Sequence, residues 1–90
     1  MPYILQEDRM KFEETIFNLP VIRTPGELNY LVTAICKEYA KYSNESSDVY
    51  AARYQAHNDI IGALEGCKLE FYRRFTAKYE DIKIRANGEV

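Results

Sequence analysis

The sequence predicts an all-α protein: a three-helix arrangement of two shorter helices and one long C-terminal helix, a helical bundle completed by oligomerisation. Three observations predict it. Pro20, Pro25, Gly26 and the polar run Ser43-Asn44-Glu45-Ser46-Ser47-Asp48 cut the chain into three segments with helical periodicity. Thr24-Pro25-Gly26-Glu27 is a helix-start signal. After Asp48, apolar residues recur at alternating spacings of four and three, with no proline up to Val90.

The first segment runs from about Gln6 to Asn18. Glu7 and Asp8 suit a helix N-terminus, where the backbone dipole favours negative charge. Phe12, Ile16 and Leu19 recur at helical spacing, and Leu19-Pro20 ends the element because the residue before proline avoids helical torsions.

The second segment starts with Thr24 as cap, Pro25 at the first helical position and Glu27 reaching back to close a capping box. Leu28, Leu31, Val32, Ile35 and Tyr39 form one apolar face, and Lys37 and Lys41 sit near the expected end at Tyr42.

The third segment, capped at Ser47 or Asp48, carries the seam Tyr50, Tyr54, His57, Ile61, Leu64, Lys68, Phe71 and Phe75, widened by Ile60 and Cys67. A helix of about 30 residues spans about 45 Å, longer than a globule of this size is wide. It must project, kink or pack against another subunit. Ile82–Val90 alternates apolar and charged residues before the turn signal Asn87-Gly88, so residues 82–90 read as a flexible or extended tail on a single 1–90 helical domain.

Composition bounds the function. With 47% hydrophobic and 29% charged residues the usage is that of a globular domain, which excludes a disordered tail or a fibre. Ninety residues bury only about 60–65% of their unfolded surface, so a partner subunit would help. The net charge of −2 offers no basic field for duplex nucleic acid. The N-terminus has no basic region leading into a long apolar core, and no apolar run is long enough to cross a bilayer, so a soluble, cytoplasmic protein is expected. Cys36 and Cys67 are unpaired in sequence, there is one histidine, and no metal or other cofactor is expected. The two cysteines read as small buried hydrophobes.

The candidate sites lie on the long helix. Asn58, Glu65 and Tyr72 are spaced by seven and share one stripe, with Lys68 within a turn or two of Glu65 and Tyr72. The stripe is either a solvated face with an ion pair or a hydrogen-bonding wall for a polar ligand. Arg73 and Arg74 follow Phe71-Tyr72: their guanidinium forks match phosphate or carboxylate, and a neighbouring ring stacks on a base. Alternatively they are surface salt bridges. Asn29 and Tyr30 of the second helix would complete the wall. His57 and Lys68 interrupt the seam, either setting register or lining a cleft. Gly62 and Gly66 cost about 1 kcal/mol each in a helix relative to alanine, which points to a close backbone crossing or room for a ligand. Glu13-Glu14, Glu38 and Glu80-Asp81 do not reproduce the paired E-x-x-E layout of helical nucleotide pyrophosphohydrolases, so a magnesium-dependent hydrolase is the weakest of the readings.

The stretches Gly26-Glu27-Leu28-Asn29-Tyr30, Asn58–Arg74, Tyr79-Glu80-Asp81 and Asn87-Gly88-Glu89-Val90, with the opening Pro2-Tyr3-Ile4, together resemble a family of short phage and bacterial proteins known only as a domain of unknown function. The run Phe71-Tyr72-Arg73-Arg74 is the most specific part. The resemblance implies phage or mobile-element origin. Small phage proteins of this kind include inhibitors that act by binding, some of them oligomers that sequester nucleotide immune signals. The expectation is therefore a non-enzymatic homo-oligomer that binds a small anionic, nucleotide-type ligand through Asn29, Tyr30, Asn58, Glu65, Lys68, Tyr72, Arg73 and Arg74, acting in the host cytoplasm. The alternatives are a module that docks on a host protein or a structural phage protein.

Overall fold

The computed structural model describes residues 3–43 and 54–90. It is all-α. Helix α1 spans Gln6–Phe17, α2 spans Pro25–Ser43 and α3 spans Tyr54–Phe71. The last continues through one π-helical turn, Tyr72–Thr76, into α4, Ala77–Asn87. Torsions stay helical across both joints, at Phe71, Thr76 and Ala77, so α3, the π turn and α4 form one long C-terminal rod. At 1.5 Å rise per residue, Tyr54 to Asn87 spans about 50 Å, and the longest dimension of the molecule is 53 Å. The expected cap at Ser47 or Asp48 and the seam residue Tyr50 lie outside the described residues.

Helix α2 begins as its sequence dictates. The Glu27 amide donates to Thr24 Oγ1 at 3.1 Å, and the Leu28 amide to the Thr24 carbonyl at 3.1 Å. The returning half of the box is displaced by one residue: the Glu27 carboxylate accepts from the Arg23 amide at 2.7 Å. Two otherwise orphaned donors are thus satisfied at one helix end. Helix α1 has no side-chain cap; the Leu5 carbonyl takes the amides of Asp8 and Arg9 at 2.9 and 3.1 Å.

The C-terminal end departs from the alternating pattern. Ile82–Asn87 continue α4, and the helix stops at Gly88, whose φ of 87° lies in the region that favours glycine. Only residues 88–90 follow the helix, so the expected extended tail over 82–90 shrinks to its last three residues. Alternation of apolar and charged residues does not by itself stop a helix.

Among the described residues α2 packs on α3, whereas α1 packs against no other helix. Helix α2 meets α3 through Val32, Ile35, Cys36 and Tyr39 against Ile60, Ala63, Leu64 and Cys67, which line a groove of about 330 Å³ between them. The face α3 turns to α2 is therefore the Ile60–Cys67 edge. Most of the heptad seam lies beside it, uncovered. Neither cysteine is buried as expected: Cys36 is half-buried, Cys67 is exposed, and both are free thiols on this groove. Among the described residues no third helix covers the groove.

Burial is sparse. Only Ala40 and Ala56, at 2% and 5% exposure, are buried among the described residues. The radius of gyration is 16.9 Å, against about 12 Å for a compact domain of this length. No helix among the described residues is long and apolar enough to cross a membrane.

Candidate functional site

A hydrogen bond ties the N-terminal segment to the long rod. Tyr3 donates its hydroxyl to the Glu70 carboxylate, joining residues 67 apart in sequence. Arg73, one helical turn after Glu70, adds an ion pair from its terminal nitrogen at 2.5 Å and a longer contact from Nε at 3.4 Å. The Tyr3 hydroxyl first, then the Arg73 guanidinium, hold the Glu70 carboxyl below the usual carboxylate range; the same pairing raises Arg73.

Beside this clasp lies a hollow of about 400 Å³ lined by Tyr3, Arg9, Cys67, Glu70, Phe71, Arg74 and Phe75. The Phe71 and Phe75 rings meet with centroids 5.0 Å apart at 38°, a tilted pairing that ring quadrupoles favour. The Arg74 guanidinium lies 5.5 Å over the Phe75 ring. Arg9 donates its Nε to the Ile4 carbonyl at 2.9 Å. Among the described residues neither Arg9 nor Arg74 pairs with a carboxylate. The one carboxylate in the hollow, Glu70, is already taken by Tyr3 and Arg73. What remains is two guanidinium groups and two rings around one space, a combination that recognises an anion bearing an aromatic or flat group.

The residues singled out by sequence fall in several places. Arg74 lines the hollow. Arg73 is committed to Glu70. The Tyr72 hydroxyl is pushed above the usual tyrosine range, by the Glu80 carboxylate first and by burial and Asp81 to a lesser degree. Glu65 and Lys68 form an exposed ion pair at 2.9 Å. Asn58 is exposed, and like Glu65 it lies about half a turn round from the Ile60–Ala63 edge that faces α2. Asn29 and Tyr30 line a separate shallow hollow with Pro25, Gly26 and Thr33, where Thr33 Oγ1 donates to Asn29 Oδ1 at 3.3 Å. Gly62 and Gly66 have nothing within 4 Å of where a Cβ would stand, so no backbone of the described residues crosses there.

Sequence reasoning passed over Tyr3, Arg9 and Glu70. The spacing of Phe71 and Phe75 by four, with Arg74 between, was a visible signal for the rod's half of the hollow. Nothing in the sequence signals that the N-terminus folds back to supply the other half. Among the described residues no three His, Cys, Asp or Glu side chains gather closely enough to hold a metal ion.

No curated protein and no solved structure matches the chain. One family model does, over residues 1–90. The whole sequence, from the Tyr3 clasp to the end of the rod, therefore falls under one family description, and the chain belongs to the family described as Domain of unknown function (DUF6899).

Proposed function

We propose that this chain is a non-enzymatic binding protein that holds a small anionic, nucleotide-type ligand in the hollow between its N-terminal segment and the long rod. The observation that carries the reading is the pair Arg9 and Arg74, neither of them in a salt bridge among the described residues, flanking the Phe71–Phe75 ring pair. Phosphate oxygens take the guanidinium forks and a base lies against a ring. A volume of about 400 Å³ is within the range of small-molecule sites, about 300–1,000 Å³. The resemblance to short phage proteins supports a sequestering role, in which the ligand is a nucleotide immune signal removed from the host cytoplasm.

The test is calorimetry on the full chain with cyclic dinucleotides and ADP-ribose derivatives. Binding by the wild type that is lost in Arg9→Ala and Arg74→Ala, and kept in Arg73→Ala, supports the reading. Silence across the panel counts against it. Magnesium-dependent turnover lost in Glu65→Gln would replace it with the hydrolase reading.

A second reading is a module that docks on another protein. Helix α1 favours it: Met10, Ile16 and Phe17 are all exposed on an element that no other helix covers among the described residues. A stoichiometric host partner that survives the double Arg9→Ala, Arg74→Ala change would favour docking.

A further inference from the structure

The rod carries two apolar edges, and this chain uses one. The Ile60, Ala63 and Cys67 edge meets α2. The heptad edge runs through Tyr54, Ile61 and Leu64, of which Tyr54 is 80% and Ile61 66% exposed among the described residues. Leu64 joins the two, so the uncovered edge is continuous with the open α2–α3 groove. We propose that this combined face is the docking surface for a second copy of the same chain, helix against helix along the heptad seam.

A compact monomer of 10.5 kDa exposes about 5,400 Å². This chain exposes 8335 Å², an excess of about 2,900 Å² over that expectation. Standard interfaces remove about 800 Å² per partner and obligate ones roughly 1,000–2,500 Å². The excess is therefore on the obligate scale, and the chain needs a partner that is present whenever the chain is. Another copy meets that condition without regulation.

A seam with three-and-four spacing is complementary to another helix of the same spacing, and α3 itself is such a helix. A net charge of −2 leaves little like-charge repulsion between copies. The seam's cation, Lys68, already pairs with its own Glu65 at 2.9 Å, so covering the edge does not strand an isolated charge there. This inference does not use the ligand hollow, and its experiment contains no ligand, so the two readings fail separately.

The experiment is sedimentation equilibrium of the full chain from low to high micromolar, with thermal melts at the same concentrations. The expected mass is an integer multiple, two or more, of 10.5 kDa, with a Tm that rises with concentration. Ile61→Asp should lower the mass to that of one chain or abolish folding, whereas Phe17→Asp, on exposed α1, should keep the assembly. Lys68→Leu removes one of the seam's two polar interruptions without a folding risk, and should lower the half-dissociation concentration at least tenfold. A folded wild type that sediments as a single chain with a concentration-independent Tm overturns the proposal. So does Lys68→Leu with unchanged association, or dissociation by Phe17→Asp and not by Ile61→Asp.

Discussion

The two mid-helix glycines offer a test in which the sign of the effect decides. A Cβ added at Gly62 or Gly66 meets no atom within 4 Å. Each lies about 200° round the helix from Leu64, well away from the seam assigned to the second copy. Replacing both by alanine should therefore add helix propensity and remove nothing. Each substitution is worth about 1 kcal/mol, so Gly62→Ala with Gly66→Ala should stabilise the chain by about 2 kcal/mol. For a domain of this size, 1 kcal/mol moves Tm by about 4–8 °C, which gives a rise of about 8–16 °C for the pair. The assay is a far-UV circular dichroism melt of wild type and double variant at one protein concentration. An unchanged or lowered Tm would refute the reasoning, because it would mean that a backbone or ligand from outside the chain rests against these glycines.

Three further outcomes are expected. Thr24→Ala removes the side-chain acceptor for the Glu27 amide and should cost about 1 kcal/mol, read as a Tm lower by about 4–8 °C. Because the Glu70 carboxyl is held below its ordinary value by Tyr3 and Arg73, its contribution is fully present above the ordinary carboxylate pKa and is lost as pH falls through the lowered one; Tm followed on acidification should fall in that window in wild type and less steeply in Glu70→Gln. Tyr72 is raised by Glu80, so one of the eight tyrosines should ionise later than the rest in an ultraviolet pH titration. Its stabilisation is present below the ordinary tyrosine pKa and lost as pH rises through the raised one, and the late step should merge with the others in Glu80→Gln.

The element order was legible because its signals are local. Proline at 20 and 25, the Thr24–Glu27 box and the absence of proline after Asp48 each act through their own backbone. The apolar positions of the long helix were legible as well, but not which edge faces α2. Ile60 and Cys67 looked like a margin of the seam and are the packed edge. Periodicity gives the width of an apolar stripe without naming its neighbour. The π turn left no mark in Tyr72-Arg73-Arg74-Phe75-Thr76, since a shift to i+5 bonding needs neither glycine nor proline. The hollow was half legible. Phe71, Arg74 and Phe75 are one turn of helix, whereas the bond from Tyr3 to Glu70 crosses almost the whole chain. The wall expected from Asn58, Glu65 and Tyr72 rests on seven-residue spacing, which places three residues on one stripe without saying what faces it. Glu65 pairs with Lys68, the ion pair that was the other reading of this stripe.

The π turn has a geometric consequence for anything lying along the rod. It inserts one residue into a turn, as the Ala77 amide bonding back to the Tyr72 carbonyl shows, and so rotates everything beyond it by about 100°, the angular share of one residue. Ile82 and Ile84 consequently look in a different direction from Ile61 and Leu64. A straight companion that follows the rod from Tyr54 runs out of matching surface at Phe71, about 27 Å along. Past that point it must diverge, or carry the same dislocation at the same height.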